Sequence, residues 1–229
     1  MKPKAIILLS GGLDSAVSLA KCVNEYDIEL ALFFDYGQKS LKYEKISSEK
    51  LANFYGVRFE AVSLPWLKDI TNTSLVNENA EIPSLTLKEL DEKEITENSM
   101  KNVWISNRNA LFLNIAAAYC DSFGFKKIII GANKEEAQTF SDNSADFIAR
   151  INEVFKYSTL VKPKVIAPLI DFEKDEIIKL GYDLKLPFDL IRSCYSSEEF
   201  HCGKCESCLR LKRGLERLGL FDILNVLFR

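Results

Sequence analysis

Long hydrophobic runs are missing from the start of this 229-residue chain. The first four residues lead into only five consecutive apolar ones, Ala5–Leu9. A secretory signal needs roughly 7 to 15 apolar residues, and a membrane-spanning helix needs roughly 20. The run is too short for either, so we expect a cytoplasmic protein with no membrane partner.

An excess of basic charge is also missing. Lys and Arg number 30 against 33 Asp and Glu, which gives a net charge of −3, and this balance provides no general attraction to nucleic acid. Hydrophobic residues make up 47% of the chain and charged residues 28%, as in ordinary soluble globular proteins. No internal repeat or low-complexity tract is evident. The length therefore predicts one globular domain, with at most a small appendage.

A Walker A motif is absent as well, but a different glycine-rich loop follows the first apolar run: Ser10-Gly11-Gly12-Leu13-Asp14-Ser15. An apolar run stopped by paired glycines predicts a buried strand that turns into a helix. Both glycines allow positive φ and a close approach to a ligand, and the N–H groups of the loop and the first helical turn attract anions. With two hydroxyls and one carboxylate added, the loop suits a polyphosphate whose charge is shared with Mg²⁺.

Strand and helix signals alternate along most of the chain. Buried strands are predicted at 5–9, 28–34, 58–64, 127–131 and 165–169, and helices at 16–25, 42–55, 109–123, 144–155 and 174–181. Short connections between them imply right-handed crossovers and a parallel sheet that helices cover on both faces. The helix at 109–123 is apolar nearly all round, which predicts that it is buried.

The segment 68–102 breaks this alternation. It is polar and rich in Asn, Glu and Thr, with a possible short helix at 87–95. Such an excursion is either a lid over a functional site or a solvated surface loop without a role. We expect it to be an excursion from the sheet, and the lid is the functional hypothesis.

Ligands of an open parallel sheet lie at the carboxyl ends of strands, where the strand order reverses. Residues 10–15, 35–38 and 131–142 fall at such ends, and Arg108 precedes an apolar helix there. Arg108 is a natural phosphate partner, because a guanidinium binds oxyanions bidentately. Lys174 is placed in a first helical turn, where the helix dipole disfavours a cation unless an anion is near. Both therefore indicate phosphate contacts, although a solvated surface position is the alternative for each.

Four of the six cysteines cluster near the end of the chain, at Cys194, Cys202, Cys205 and Cys208. In a reducing compartment such clusters bind metal more often than they form disulfides. Four thiolates can close a tetrahedral zinc site with no open position, which is a structural site. An iron–sulfur cluster is the alternative, although the Cys-Pro pair typical of clustered-cysteine ferredoxins is missing.

The remaining cysteines and the single histidine are predicted to have no chemical role. His201 adjoins a cysteine ligand and is predicted to be a bystander, because four cysteines already complete a zinc site. Cys22 and Cys120 fall on apolar helix faces, which predicts that they are buried. Basic residues from Lys204 to Arg217 leave a nucleic-acid-binding ribbon open, but the leucines between them favour a docked amphipathic helix.

The loop at 10–15 resembles the signature of the PP-loop ATP pyrophosphatases, which cleave ATP between the α- and β-phosphates. From end to end, the chain resembles the 7-cyano-7-deazaguanine synthase (QueC) family of these enzymes. The matching residues are the loop itself, Asp35-Tyr36-Gly37-Gln38, Arg108-Asn109, Gly131-Ala132-Asn133, Pro168-Leu169-Ile170 with Lys174, and Ser193-Cys194-Tyr195 with Cys202, Cys205 and Cys208.

The resemblance implies an α/β fold: a doubly wound parallel five-stranded sheet of the PP-loop type in residues 1–193, followed by a four-cysteine zinc segment with a C-terminal helix in 194–229. It also implies ATP, Mg²⁺, zinc and a homodimer. The implied reaction adenylates the carboxylate of 7-carboxy-7-deazaguanine. Ammonia then displaces AMP to give an amide, and a second ATP drives dehydration to the nitrile preQ0.

Site residues follow from the same resemblance. The catalytic set is Ser10, Asp14, Ser15, Arg108 and Lys174. ATP is expected to contact these residues and also Leu9, Gly11, Gly12, Leu13, Phe34, Gln38 and Gly131. The substrate is expected to contact Asp35, Tyr36, Gln38, Asn109, Asn133 and Asp142.

Three places depart from the family pattern, all near the expected substrate pocket. Residues 138–144 replace an S-G-Y-P-D-C-R-like segment and keep only its aspartate, Ser106-Asn107 replaces Pro-Gly, and Arg192 replaces an aromatic residue. A QueC-like ligase of antiphage defence, which joins the deazaguanine carboxylate to a protein amine, is therefore an alternative. A catalytically inactive nucleotide-binding module is another, although the intact loop argues against it. No glutaminase segment is evident, so we expect either that ammonia comes from solution or that another amine serves in its place.

Overall fold

Five parallel strands form the centre of the protein, as seen in a computed structural model that describes residues 2–228 apart from the side chain of Lys93. The strand order is β3-β2-β1-β4-β5. The strands are β1 (Lys4–Leu8), β2 (Asp27–Asp35), β3 (Arg58–Ser63), β4 (Lys127–Ile129) and β5 (Lys164–Ile166). Every pairing is parallel, so the predicted sheet is confirmed. The order reverses between β1 and β4, which places a switch point directly beyond β1.

The ten α-helices of the described residues include all five that were predicted between the strands; four of these start within one residue of the predicted position, and the first starts three residues earlier, at Leu13. They are α1 (Leu13–Cys22), α2 (Leu41–Phe54), α3 (Trp66–Ile70), α4 (Lys93–Val103), α5 (Arg108–Phe123), α6 (Lys134–Ala137), α7 (Ala145–Ser158), α8 (Lys174–Asp183), α9 (Glu206–Arg217) and α10 (Phe221–Leu227). No helix among the described residues is long and apolar enough to cross a membrane.

Helices cover the sheet on both faces, because alternate side chains of each strand point to opposite sides. On one face, α1 and α8 pack with the C-terminal helices α9 and α10 around Ile7 and Leu9. On the other face, α5 and α7 pack around Ile6 and Leu32. Helix α5 is not buried all round as predicted, since Asn114 and Ala118 face solvent. Helix α5 belongs to the outer layer of the fold, so only the face that packs against the sheet is buried.

The segment 68–102 has more structure than its polarity predicts. Its expected short helix at 87–95 is instead a 3-10 turn at Glu89–Asp91 followed by the longer helix α4. Leu75 and Val76 are buried with Val103 and Tyr36 in a separate apolar cluster. The few apolar residues of the segment thus anchor it beside the carboxyl end of β2. A role as a lid stays a prediction.

The C-terminal segment shares the main core of the protein. Leu211 and Leu215 of α9 are buried against α1 and α8, which confirms the predicted docked amphipathic helix. The boundary at residue 193 stays a prediction, since the two parts form one continuous apolar cluster.

Candidate active site

The glycine-rich loop lies at the switch point of the sheet, between the end of β1 and the start of α1. Gly11 has φ +80°, and a Cβ there would lie 2.9 Å from the Glu44 carbonyl oxygen and from Ser47. Gly12 has φ −73° and is the N-cap of α1, so only Gly11 uses the positive φ that both glycines allow. The tight turn thus needs only one glycine for its backbone angle.

Gly131 lets the end of β4 approach this loop. A Cβ on Gly131 would lie 2.7 Å from the Ser15 backbone nitrogen and 2.9 Å from the Asp14 carbonyl carbon. No side chain fits at that distance. The first turn of α1 is therefore held directly against the strand on the other side of the switch point.

The two loop hydroxyls face each other. Ser10 Oγ lies 3.1 Å from Ser15 Oγ, and the Ser15 hydroxyl donates to the Gly12 carbonyl at 3.1 Å. The Ser10 side chain is exposed to the hollow beyond the loop, while Ser15 is buried. This arrangement leaves Ser10 as the hydroxyl that an entering anion meets first.

Asp14 lies against the buried ammonium of Lys174. Lys174 Nζ donates to both carboxylate oxygens of Asp14 at 3.0 Å, and to Glu136 Oε1 at 3.3 Å. Lys174 is the first residue of α8, as predicted, and two carboxylates now offset the helix dipole that disfavours a cation there. The three side chains together carry one net negative charge beside the loop.

Burial and mutual contact shift the pKa values of all three groups. Burial raises the pKa of Asp14 to about 6, against the opposing pull of Lys174. Burial would lower the pKa of Lys174, but the two carboxylates raise it on balance. Burial would also raise the pKa of Glu136, but the Lys174 ammonium outweighs it and lowers that pKa. At neutral pH the cluster is therefore one cation shared by two carboxylates.

Arg108 begins α5 on the opposite wall of the hollow. Its Nη1 donates to the Tyr36 hydroxyl at 3.2 Å, and the guanidinium lies 5.7 Å from the centre of the Tyr36 ring. Among the described residues no carboxylate lies within 4.0 Å of it. The positive charge of Arg108 is thus available to an anion.

The hollow has two adjoining parts, which we call the cleft and the inner pocket. The cleft contains most residues predicted to bind ATP or substrate: Leu9, Ser10, Gly12, Leu13, Asp14, Ser15, Phe34, Tyr36, Gln38, Arg108, Asn109 and Gly131. The inner pocket extends beyond Asp14 and Glu136 to Lys174, and residues of α9 form its far wall.

Four predicted site residues lie outside both linings: Gly11, Asp35, Asn133 and Asp142. Asp35 accepts the Gly37 N–H at 3.1 Å and so shapes the turn after β2. Asn133 is fully buried, and its Oδ1 caps α6 by accepting the Glu136 N–H at 2.9 Å. The Asp142 carbonyl accepts from Asn109 at 3.3 Å. Through these contacts the three side chains or carbonyls hold Gly37, Glu136 and Asn109 in place. Direct contact of the four residues with a ligand stays a prediction.

Sequence reasoning missed several residues that line the hollow, chiefly Glu136, Glu44 and Tyr195. Glu44 is partly buried and accepts the Ser40 hydroxyl at 2.6 Å and Gln38 Nε2 at 3.0 Å, and its desolvation raises its pKa. Glu136 belongs to the helix that follows the carboxyl end of β4. Its position after β4 could have indicated a role in the site, because residues 131–142 were predicted to lie there.

Arg192, one of the departures from the family pattern, is a structural clamp. Its guanidinium donates to the carbonyl oxygens of Ser196, Glu198 and Glu199 at 2.6–3.0 Å, and its backbone N–H donates to Gly11 at 2.7 Å. The residue is buried and lines the cleft. It therefore fastens the stretch before the clustered cysteines to the glycine-rich loop.

The four clustered cysteines converge as predicted. The sulfur atoms of Cys194, Cys202, Cys205 and Cys208 all lie within 4.8 Å of one another. The Cys202 and Cys208 sulfurs are 3.9 Å apart, close to the roughly 3.8 Å between sulfurs bound to one tetrahedral zinc at about 2.3 Å each. Such a donor set fits a closed zinc site.

Neighbouring side chains agree with this assignment. All six cysteines are free, and Cys22 and Cys120 are buried as predicted. His201 Nε2 accepts the Ser193 N–H at 3.1 Å, and burial lowers the pKa of His201 to about 4. The imidazole is therefore neutral, and its Nε2 is hydrogen-bonded to the backbone rather than directed at the cysteine cluster.

Three basic residues of α9 are used within the protein. Arg210 contacts Glu135 and Glu206, Arg213 contacts Asp91 at 2.8 Å, and the third pair is Arg217–Asp175. These contacts weaken the case for a nucleic-acid-binding ribbon, because three of its five basic side chains are already paired with carboxylates.

The parallel sheet with the S-G-G-L-D-S loop at its switch point defines a nucleotide-binding fold of the PP-loop class. The fold resembles that of NMN synthetase from Francisella tularensis, with a TM-score of 0.50, 14% identity and coverage of 98% of this chain and 83% of that one. A family model described as "Queuosine biosynthesis protein QueC" matches residues 4–219. The chain belongs to the QueC family.

Two curated relatives match along more than nine tenths of their length. The chain is 51% identical over 210 residues to the 7-cyano-7-deazaguanine synthase of Carboxydothermus hydrogenoformans, covering 92% of this chain and 97% of that protein. It is 45% identical over 222 residues to the enzyme of the same name from Methanosarcina mazei, covering 96% of each.

Proposed function

We propose that the protein is an ATP-dependent 7-cyano-7-deazaguanine synthase. The observation that carries the proposal is the buried Asp14–Lys174 contact at the S-G-G-L-D-S loop, in a chain related to such synthases over at least 92% of its length. A cation and a carboxylate beside a strand–helix loop are the parts that bind and orient a nucleoside triphosphate.

The proposed reaction has two ATP-consuming stages. A carboxylate oxygen of 7-carboxy-7-deazaguanine attacks the α-phosphorus of ATP, and pyrophosphate leaves. Ammonia then attacks the activated carbonyl carbon, so that AMP departs and an amide forms. The amide oxygen attacks a second ATP in the same way, and loss of AMP with two protons from nitrogen leaves the nitrile.

The residues of the cleft fit this use of ATP. Backbone N–H groups at the start of α1, with the Ser10 hydroxyl, suit the β- and γ-phosphates. Arg108 lies across the cleft with its charge available, where it can stabilise charge that develops on the α-phosphate. Ser15 supports the loop from behind through its contacts to Ser10 and Gly12.

The donor set also fits Mg²⁺, which prefers carboxylate oxygens and substrate phosphates. Asp14 and Glu136 would hold the ion, since both line the cleft and both share a single ammonium in its absence. When bound, Mg²⁺ neutralises charge on the phosphates. Lys174 keeps the two carboxylates ionised and together.

The deazaguanine is proposed to lie in the same cleft, near Tyr36, Gln38 and Asn109. Gln38 is fixed by three hydrogen bonds, to the Tyr36 N–H, the Phe34 carbonyl and Glu44, each at 3.0 Å. These bonds use both amide protons, so Gln38 keeps only the second lone pair of Oε1 for the edge of a planar base, where an unpaired polar group would cost about 1–3 kcal/mol.

Zinc is proposed as the ion of the cysteine cluster, in a purely structural role. Ammonia from solution is the proposed nitrogen donor. The active protein is proposed to be a cytoplasmic homodimer.

The test is to incubate the protein with ATP, Mg²⁺, 7-carboxy-7-deazaguanine and ammonium, and to look for the nitrile by mass spectrometry. The proposal predicts nitrile, with two AMP released per molecule. AMP release that stalls before nitrile would favour the antiphage-type ligase, with a protein amine as acceptor. Absence of carboxylate-dependent AMP would reject the deazaguanine assignment.

A further inference from the structure

Helix α9, which carries two of the four clustered cysteines at its start, reaches the active site through Arg210. The Arg210 guanidinium donates to Glu135 of α6, and also to Glu206 Oε1 at 2.8 Å and 3.1 Å. Glu206 in turn accepts the Ser99 hydroxyl at 2.6 Å on its other oxygen. One guanidinium thus connects the cysteine-bearing helix, α6 and, through Glu206, helix α4.

This network is largely withdrawn from solvent. The side chains of Arg210, Glu135 and Glu206 are 13%, 16% and 11% exposed. Arg213 adds a second, longer contact to Glu135 at 3.4 Å. Ion pairs in such surroundings are weakly screened, so the loss of one partner leaves a carboxylate that the protein must move or protonate.

The residue after Glu135 belongs to the active site. Glu136 contacts Lys174 and lines both the cleft and the inner pocket. Helix α6 has only four residues, Lys134–Ala137, so few helical hydrogen bonds of its own keep it in place. The cap from Asn133 fixes one end of it, and Arg210 holds it from the side at Glu135.

The cysteine cluster determines where Arg210 lies. Cys205 is the N-cap of α9 and Cys208 lies in its first turn, two residues before Arg210. A metal bound to these sulfurs fixes the start of the helix. The guanidinium then lies at the wall of the inner pocket, with Lys174 and Asp14 among the other lining residues.

We propose that Arg210 is a positioning residue of the active site, which acts through Glu135 to hold Glu136 beside Asp14 and Lys174. The inference rests on the proposed function, in which Asp14 and Glu136 hold Mg²⁺. It gives the cysteine segment a part in ATP binding as well as in stability. The Arg210 side chain contacts Glu135 and Glu206, so we assign it an indirect role through Glu135.

The test compares Arg210→Met with the matched control Arg217→Met. Arg217 lies on the same helix and pairs with Asp175 of α8, but its side chain is 57% exposed. Binding of an ATP analogue that cannot be cleaved between the α- and β-phosphates is measured by calorimetry over a Mg²⁺ titration. Zinc content and thermal unfolding are measured on the same samples.

Arg210→Met is expected to keep its zinc and to need about tenfold more Mg²⁺ for half-maximal binding, as for outer partners of metal ligands. Arg217→Met should bind like the unchanged protein. Arg210→Lys keeps the charge without the two-pronged geometry and should recover part of the loss. An unchanged Mg²⁺ requirement in Arg210→Met, or loss of zinc with it, would overturn the proposal.

A double-variant comparison tests the route through Glu136. Glu136→Gln should itself raise the Mg²⁺ requirement, and adding Arg210→Met should raise it little further, because both changes remove the same arrangement. Fully additive effects would contradict that route. If Arg210→Met does not fold, Glu135→Gln removes the same contact from the other side. Because binding is measured without turnover, these results stand apart from whether the protein makes the nitrile.

Discussion

Lys174 Nζ lies 3.0 Å from both carboxylate oxygens of Asp14, although 160 residues separate the two in the chain. The contact joins the first turns of α1 and α8 at the switch point of the sheet. A third group, Glu136, shares the same ammonium. The site therefore combines a phosphate-binding loop with a buried charge cluster that is ready for a cation.

Replacing Lys174 by Met should both destabilise the protein and abolish ATP cleavage. The ammonium is 9% exposed, and breaking a buried pair by removing one partner costs about 3–5 kcal/mol. The free energy of unfolding, from denaturant titration, and release of AMP measure the two effects. Lys179→Met is the control, because its pair with Asp183 on the same helix is mostly exposed and should contribute little.

A companion variant separates charge from packing. Asp14→Asn combined with Lys174→Met should be more stable than Lys174→Met alone, since fewer carboxylates are left without a partner. It should remain inactive. Equal stability of the single and double variants would show that the Asp14–Lys174 contact is energetically unimportant.

The rate at low ATP concentration should fall below about pH 6. Burial raises the pKa of Asp14 from 3.8 to about 6, so lowering the pH protonates a carboxylate that is proposed to hold Mg²⁺. The measurement is kcat/KM for ATP between pH 5 and 8, which reports groups of the free enzyme. The MgATP concentration is held constant and folding is followed by circular dichroism. A flat profile down to pH 5 would contradict the role of Asp14.

Protein purified without chelator should contain one zinc per chain. Cys205→Ser should lose the metal and unfold at a lower temperature, because binding of a structural metal is coupled to folding. Cys120→Ser is the matched control, a buried cysteine outside the cluster that should keep full zinc content. Elemental analysis and thermal unfolding check both, and iron in place of zinc would overturn the assignment.

Gly131→Ala should weaken ATP binding. Its Cβ would meet the Ser15 backbone nitrogen at 2.7 Å, so the loop must move, and such overpacking typically costs about 1–3 kcal/mol. Gly124→Ala is the comparison, because nothing lies within 4 Å of a Cβ there although its φ is +74°. Both should lose stability, but only Gly131→Ala should raise the KM for ATP. Equal KM values would contradict the close approach.

The sequence predicted those features that depend on local pattern. Paired glycines after a buried strand predicted the loop, alternating apolar runs predicted the sheet, and cysteine spacing predicted the metal cluster. The structure confirms the loop, the sheet and the convergence of the four thiols, while a bound metal stays a prediction. Each signal lies within a dozen or so residues, where the chemistry of neighbours decides the structure.

The sequence predicted which segments meet at the site, but not the particular side-chain contacts between them. Glu136 was missed, because its role depends on the meeting of α6 with Lys174, and nothing in its neighbourhood distinguishes it from Glu135. The short helix predicted at 87–95 was misplaced, because the helix of this segment is α4 at Lys93–Val103, whose polar sequence gives little periodic signal. Arg192 was expected near the substrate pocket and does line the cleft, but its role as a clamp depends on contacts to three carbonyl groups that the sequence could not show.

Transfer of oxygen from the carboxylate to AMP tests the central claim most directly. The protein is incubated with ATP, Mg²⁺, ammonium and 7-carboxy-7-deazaguanine labelled with ¹⁸O in both carboxylate oxygens, and AMP is examined by mass spectrometry. Attack of the carboxylate and then of the amide on the α-phosphorus predicts two AMP per nitrile, each carrying one ¹⁸O. Unlabelled AMP, or ADP with phosphate, would contradict adenylation of the substrate.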